Sequence, residues 1–167
     1  MSQQLTHDMT SVSIRKNKIV VLCDGLQSPS NVGGLFRICD AFGVSEIVFS
    51  NATINFNSSR LRKTARNTNK IVPYRIVDDV PSEIEQFQKQ GFTITALEIT
   101  ETSEPIQSLS ISEDEKIILI LGNEQQGVSK QILSLADKIA HIPMYGVNSS
   151  MNVIQATGIA LYALTKN

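Results

Sequence analysis

Three polar segments of the chain combine glycines with side chains that bind ligands. Each follows a short apolar run and precedes a pattern typical of a helix, and together they comprise residues 22–37, 119–129 and 141–152. Glycine lets a ligand approach the backbone closely, while asparagine, serine, glutamate and arginine side chains supply hydrogen-bond donors and acceptors. We therefore expect these segments to contribute to a ligand site.

The first segment contains Asn31, a Gly33-Gly34 pair and Arg37. Because it opens a predicted helix, we expect Ser30 or Asn31 to cap free backbone amides at the helix start. Arg37 falls opposite the apolar stripe of that helix and is expected to point away from the core. Taken alone, the segment fits both a ligand site and an ordinary helix start with a surface arginine.

In the second segment a buried strand ends in Gly122-Asn123-Glu124, and the chain turns through Gly127 towards a helix that Ser129 is expected to cap. The glycine fingerprint of dinucleotide-binding folds is missing here, and a phosphate-binding P-loop motif occurs nowhere in the sequence. Classical dinucleotide and P-loop interpretations therefore lose their main support.

Apolar runs alternate with helical patterns along the chain. The predicted strands are residues 18–23, 46–49, 72–77, 92–98, 116–121 and 138–142, and the predicted helices are residues 31–42, 81–90 and 150–164. This alternation predicts an α/β domain with a mostly parallel sheet, whose strand ends bind ligands. Residues 1–17 are expected to form a flexible arm before a single domain over residues 18–167.

The composition of the 167 residues, 41% hydrophobic, is typical of a soluble domain. No apolar run is long enough for a membrane span and no signal peptide is recognisable, so we expect a cytoplasmic protein. The two cysteines, Cys23 and Cys39, are predicted to be buried free thiols, and no metal-ligand cluster is present. His141 is interpreted as a structural hydrogen-bonding residue, and His7 as non-catalytic.

Positive charge is concentrated in the first half of the chain, where residues 1–77 carry ten Lys and Arg against four Asp and Glu. Within residues 47–77 the basic residues occur without any acid, and they are Arg60, Arg62, Lys63, Arg66, Lys70 and Arg75. Such a cluster fits either a solvated surface or contacts with the phosphates of a nucleic acid.

In order and spacing, the three segments resemble the motifs of SpoU/TrmH-type RNA 2′-O-methyltransferases of the SPOUT superfamily. The matching residues are Asn31-x5-Arg37, Leu121-Gly122-Asn123-Glu124-x2-Gly127 and Ile142-Pro143-Met144-x-Gly146-x3-Ser150-Met151-Asn152-Val153. The resemblance covers residues 18–164. Two positions depart from the family pattern: Ile154 stands where many relatives have a small hydroxyl residue, and Ser28 where an acid often precedes the proline.

The resemblance implies a mostly parallel α/β fold with a C-terminal deep trefoil knot, a homodimer whose RNA sites are completed across the interface, and no metal. It also implies S-adenosyl-L-methionine as cofactor. By position, the residues expected to bind this cofactor are Leu121, Gly122, Asn123, Gly127, Ile142, Met144, Ser150, Met151 and Asn152.

The catalytic residues implied by the resemblance are Arg37, Asn31, Glu124, Ser150 and Asn152. The arginine is the family's candidate for deprotonating the ribose hydroxyl. Because a guanidinium stays protonated in proteins, the alternative is that Arg37 binds phosphate and stabilises the 2′-oxygen electrostatically. Asn31 would support Arg37, Glu124 would orient the site, and Ser150 and Asn152 would fix the loop and the cofactor.

Given the resemblance, the basic cluster is expected to contact RNA through Arg60, Arg62, Lys63, Arg66 and Lys70. The expected substrate is tRNA, with guanosine favoured, and rRNA is the second candidate. The alternative function is a non-catalytic RNA-binding or assembly module on the same fold.

Overall fold

The computed structural model describes residues 17–148 and 150–166, and within them seven strands form one parallel sheet. The strands are β1 (Lys18–Asp24), β2 (Glu46–Ser50), β3 (Tyr74–Val77), β4 (Phe92–Leu97), β5 (Glu104–Pro105), β6 (Lys116–Leu121) and β7 (Lys138–His141). The helices are α1 (Pro29–Ala41), α2 (Ser59–Ala65), α3 (Val80–Lys89), α4 (Lys130–Leu133) and α5 (Val153–Thr165). The spatial strand order is β3-β2-β1-β6-β4-β7-β5, which confirms the predicted mostly parallel α/β class.

The central pair of strands, β1 and β6, is buried on both faces. The two strands run parallel in register from Lys18 opposite Lys116 to Cys23 opposite Leu121. Alternate residues of the sheet pack against α1, α2 and α5 on one face and against α3 and α4 on the other. A strand covered by helices on both sides has to be apolar throughout, which explains the uninterrupted runs seen in the sequence.

The Gly33-Gly34 pair sets the position of α1 between two other helices. A Cβ atom on Gly33 would lie 2.5 Å from the carbonyl oxygen of Leu61 in α2, too close for any side chain. A Cβ atom on Gly34 would lie 3.2 Å from Ile154 in α5. The glycines therefore allow the backbones of α1 and α2 to approach closely and leave room for α5 on the other side.

The starts of α1 and α5 differ from the predicted ones, whereas the predicted cap of α4 is present. Helix α1 begins at Pro29, so Ser30 and Asn31 lie in its first turn and the prediction that either one caps the helix is wrong. The predicted cap of α4 is confirmed, since Ser129 Oγ accepts a hydrogen bond from the N–H of Ile132 at 3.3 Å. Helix α5 begins at Val153, later than predicted, because Asn152 is its cap.

Two elements were not predicted. Helix α2 has seven residues, too few for a clear period, and its sequence was interpreted only as a basic cluster. Strand β5 has two residues and pairs with the end of β7. Strand β3 begins at Tyr74 rather than at residue 72, because a 3-10 turn at Thr68–Lys70 draws the N–H of Val72 back to the carbonyl of Thr68.

No helix among the described residues has the length and apolar character needed to span a membrane.

Candidate active site

Side chains from all three motifs form one continuous chain of hydrogen bonds. Asn31 Nδ2 donates to Glu124 Oε1 at 3.1 Å, and Asn152 Nδ2 donates to Asn31 Oδ1 at 3.1 Å. The backbone N–H of Ser28 also donates to Glu124 Oε1, at 3.3 Å. We call Glu124, Asn31 and Asn152 the polar relay. The relay joins residues far apart in sequence, so the three motifs meet at one place.

Both outer members of the polar relay also fix a local element. Asn152 Oδ1 accepts from the N–H of Ile154 at 2.8 Å and so caps α5, while its Nδ2 reaches Asn31. Glu124 holds both Asn31 and the backbone of Ser28 at the start of α1. The relay therefore sets the relative positions of the two helices that begin at the site.

Asn123 shapes the turn of the second motif. Its Nδ2 donates to the carbonyl of Gly25 at 2.9 Å, and its Oδ1 accepts from the N–H groups of Gln125 at 2.8 Å and Gln126 at 3.2 Å. Its backbone N–H and carbonyl each bond with Gly127 at 3.0 Å. The side chain predicted to contact the cofactor thus ties the second motif to the first and closes the turn.

Glycine is required at two positions of this turn. A Cβ atom on Gly122 would overlap the backbone of Gly127 on the other side of the turn. Gly127 has φ +67°, a conformation that other residues rarely adopt, and its α-carbon faces the carboxylate of Glu98. The turn is therefore held in one shape by sterics as well as by hydrogen bonds.

Two adjoining cavities open beside the polar relay. The polar cavity, about 770 Å³, is bordered by all three motifs, including Asn31, Gly122, Glu124, Ser150 and Asn152. The apolar cavity, about 170 Å³, has walls that include Leu97, Ile99, Ile142, Met144 and Met151. Ligand pockets are usually concave spaces of roughly 300–1,000 Å³, so the two together have the size of a small-molecule site.

All nine residues predicted to bind a cofactor line these cavities. Seven border the polar cavity: Leu121, Gly122, Asn123, Gly127, Ser150, Met151 and Asn152. Ile142 and Met144 border the apolar cavity, which Ser150 and Met151 also line. The structure thus gathers residues from two motifs into one pair of cavities.

Arg37 lies outside this assembly. It is exposed on α1 and lines neither cavity. An α-helix turns by about 100° per residue, so the side chain of Arg37 points in a direction between those of Gly33 and Gly34 when α1 is viewed along its axis. Gly33 faces α2 and Gly34 faces α5, so Arg37 lies between these two helices. Within residues 17–148 and 150–166 its guanidinium has no hydrogen bond or ion pair. The predicted orientation away from the core is confirmed, but one copy of the chain does not bring Arg37 to the cavities.

The basic cluster separates into two groups in the structure. Five members lie exposed on α2 or just after it: Arg60, Arg62, Lys63, Arg66 and Lys70. Arg75 instead pairs with Glu46 at 3.1 Å and, more tightly, with Glu83. The hydrogen bond from Glu83 raises the pKa of Arg75 above its usual range. Arg75 is therefore a structural residue, whereas the other five are placed to bind anions.

An acid-lined groove of about 1,650 Å³ also borders the relay residues Asn31 and Glu124. Its charged walls are Asp24, Asp78, Asp79, Glu98 and Glu124 with Lys130. A polyanion is repelled by such a surface. A polyanion would therefore be attracted along α2 rather than into this groove.

The histidine and cysteine predictions can be placed as well. His141 Nδ1 lies 3.0 Å from Ser103 Oγ, consistent with a structural hydrogen bond, while His7 lies outside the described residues. Cys23 and Cys39 are buried free thiols, as predicted, and burial raises the pKa of both. No group of three His, Cys, Asp or Glu side chains in the described chain is placed to hold a metal ion.

Glu98 is a site residue that the sequence interpretation missed. It follows β4 directly and borders both the polar and the apolar cavity. The available signal was an acid at the carboxyl end of a buried parallel strand, the edge at which such sheets bind ligands. The sequence pattern extends the predicted strand to residue 98, which places Glu98 inside the strand, whereas β4 ends at Leu97.

The fold is similar to those of solved RNA methyltransferases. The A. aeolicus TrmH/SpoU tRNA modifying enzyme matches with a TM-score of 0.78 and 31% identity, covering 90% of this chain and 75% of that one. An AdoMet-bound rRNA methyltransferase from Sinorhizobium meliloti has the same fold, with a TM-score of 0.81 at 24% identity over 90% of this chain and 57% of the other.

Sequence comparison gives the family. The model of the SpoU rRNA Methylase family matches residues 18–162, and the chain belongs to that family. The tRNA (guanosine(18)-2′-O)-methyltransferase of Aquifex aeolicus is 32% identical over 149 residues, which are 89% of this chain and 69% of that protein. The 23S rRNA (guanosine(2553)-2′-O)-methyltransferase RlmP of Bacillus subtilis is 30% identical, with coverage of 87% and 57%. The expected family resemblance is confirmed.

Proposed function

We propose that the protein transfers the methyl group of S-adenosyl-L-methionine to a ribose 2′-hydroxyl of RNA. The observation that carries this proposal is the polar relay of Glu124, Asn31 and Asn152, which joins all three motifs beside the two cavities. A site assembled from three distant segments, with its side chains already held, is what positioning of two reactants requires.

The two cavities suit the parts of the cofactor. Leucine, isoleucine and methionine side chains around the apolar cavity fit a flat heteroaromatic ring, and the amide and hydroxyl groups around the polar cavity fit an amino-acid end. We assign the cofactor to the nine lining residues named above. Relatives' solved structures include AdoMet-bound methyltransferases, which supports this assignment.

When bound, the cofactor would supply a methyl group activated by its sulfonium; as the C–O bond to the ribose forms, the C–S bond would break, S-adenosylhomocysteine would leave and the hydroxyl proton would pass to solvent. The protein has to hold the hydroxyl in line and help its proton leave. A guanidinium only donates hydrogen bonds, so we assign Arg37 to binding phosphate and to stabilising the oxygen as negative charge develops. Asn31, Glu124, Ser150 and Asn152 hold the surrounding geometry.

We infer that the substrate is tRNA with guanosine as the methylated nucleotide, and that rRNA is the second candidate. The relatives named for tRNA and for 23S rRNA are both named for guanosine. The comparison therefore supports guanosine as the methylated nucleotide more strongly than it supports tRNA as the substrate. The exposed residues Arg60, Arg62, Lys63, Arg66 and Lys70 would hold the backbone phosphates.

A homodimer is part of the proposal. Ile159 and Tyr162 of α5 are 42% and 60% exposed, and Ile159 lines a shallow apolar cavity together with Ile38 of α1 and Phe42 just after that helix, among others. An exposed apolar helix face is a natural contact between copies. Because Arg37 lines neither cavity of its own chain, a second copy docked on this face would complete the RNA site.

Three further features belong to the proposal by family membership: a C-terminal trefoil knot, a cytoplasmic location and no need for a metal. The contact of α5 with the 3-10 turn at Ile106–Ser108 supports the knot, because it places the end of the chain against a preceding loop. An experimental electron-density trace through residues 98–153 would test this threading.

The function is tested by calorimetric titration with S-adenosylhomocysteine and by mass-spectrometric mapping of ribose methylation in total RNA from a deletion strain. We expect binding and the loss of one methylated guanosine. A non-catalytic assembly module, the alternative, would leave the methylation map unchanged, and an unchanged map would contradict the proposal. The retained polar relay favours the enzyme.

A further inference from the structure

Glu98 occupies the junction of the two cavities. The residues that border both are Leu97, Glu98, Ser150, Met151 and Ala156. Three of these are apolar, and among the described residues at the junction Glu98 alone carries a charge. A ligand that occupies both cavities therefore has its connecting part next to this carboxylate.

The carboxylate is held in place but not saturated. Glu98 Oε2 accepts from the N–H of Val128 at 2.9 Å, and Oε1 accepts from the N–H of Ile99 at 2.9 Å. An ionised carboxylate has about four acceptor positions, so roughly two stay available. Gly127 leaves the space beside Oε2 that any side chain at that position would fill. The group is therefore oriented by the backbone while keeping free acceptor capacity.

A nucleoside ligand has a ribose at the equivalent junction. Its base suits the apolar cavity, its amino-acid end suits the polar cavity, and the sugar between them carries two neighbouring hydroxyl donors. Dinucleotide-binding folds recognise such hydroxyls with an acid at a strand end. We propose, resting on the proposed function, that Glu98 accepts hydrogen bonds from the ribose hydroxyls of the methyl donor and thereby selects a ribonucleoside.

The test compares two probes, S-adenosylhomocysteine and its 2′,3′-dideoxy derivative, by calorimetry on the wild-type protein and on Glu98→Gln. Hydrogen bonds to a charged group are worth roughly 10- to 100-fold in affinity. We expect the wild type to prefer the hydroxylated probe by that factor. Glu98→Gln should bind it about 10-fold more weakly or worse, and bind the dideoxy probe as the wild type does.

Glutamine keeps one acceptor oxygen for the backbone, and thermal melting checks that the variant folds. Glu101→Gln is the matched control, because Glu101 is exposed three residues away and borders neither cavity. It should bind both probes like the wild type.

Each remaining outcome has a distinct meaning. Equal weakening of both probes in Glu98→Gln would overturn the inference and leave Glu98 only as a clamp on Val128. A wild type that binds the hydroxylated probe without preferring it over the dideoxy probe would overturn the inference alone. A wild type that binds neither probe would overturn the proposed function and this inference with it.

Discussion

The cavity side and the Arg37 side of the molecule are built in opposite ways. Around the cavities, the polar side chains of Asn31, Asn123, Glu124 and Asn152 already bond to each other or to backbone. On the other side, Arg37 and the five exposed basic residues of and after α2 project into solvent. The polar side chains beside the cavities are thus held by hydrogen bonds within one chain, whereas the basic side chains on the other side are exposed and able to bind an anion.

This contrast indicates that the cofactor and the RNA bind to different regions of the molecule. A small cofactor is held best by a preformed site, because little ordering is then needed on binding. RNA supplies its own charge, and long basic side chains gain most when they pair with phosphates. We therefore expect substitutions on the cavity side to change cofactor affinity, and substitutions on the Arg37 side to change RNA affinity or the methyl-transfer step.

Arg37→Ala should give the largest effect. Losing one donor that stabilises a developing oxyanion costs about 10²–10³ in rate, so we expect that loss in single-turnover methyl transfer to RNA. Because Arg37 lines neither cavity, affinity for S-adenosylhomocysteine should stay within about twofold, as for an ordinary surface change. A variant that loses cofactor binding instead would remove the separation between the two regions.

Mixing two impaired variants tests the proposed site shared between two copies of the chain. Arg37→Ala and a cofactor-site variant such as Ser150→Ala should regain activity when their chains are combined in one dimer, since one of the two sites then receives both intact halves. Activity is measured after co-refolding. Mixtures no more active than the separate variants would contradict completion of the site by a second copy.

The polar relay should behave as a unit. Glu124 and Asn152 are exposed, so water can replace a lost partner and each hydrogen bond contributes about 0.5–1.5 kcal/mol net. We expect Asn31→Ala and Asn152→Ala each to weaken S-adenosylhomocysteine binding by up to about 10-fold, and the double variant to be scarcely worse. Fully additive effects in this double-mutant cycle would mean that the observed hydrogen bonds do not couple the motifs.

Prediction from sequence succeeded where local chemistry decides the structure and failed where packing decides it. Continuous apolar runs identified the central strands because burial on both faces demands them. The start of α1 was misplaced, since Asn31 is a typical cap residue whose amide is used instead by Glu124, 93 residues away. No local pattern reveals such a long-range partner, whereas Glu98 did have a local signal, an acid at the carboxyl end of a buried strand.

Reversing two charges on α2 should weaken RNA binding about 10-fold. Each phosphate-binding cation that is lost should also reduce, by roughly 0.9, the slope of the log binding constant against the log salt concentration. The variant is Arg62→Glu with Lys63→Glu, and its cofactor affinity should not change. The matched control reverses Lys18 and Lys89, exposed residues at the start of β1 and the end of α3. Equal weakening in both variants would indicate a general effect of net charge rather than a contact surface.

Arg75 gives the smallest effect and the sharpest contrast, because it belongs to the same basic segment yet is already paired with Glu46 and Glu83. Its side chain is 38% exposed and that of Glu83 only 11%, so removing the cation leaves a mostly buried carboxylate without its partner. Allowing for solvent screening, we expect Arg75→Gln to lower the free energy of unfolding by about 1 kcal/mol in urea titrations. RNA affinity should stay at the wild-type value. A drop in RNA affinity comparable to that of the α2 variant would show that pairing within the protein does not remove an arginine from the RNA-binding surface.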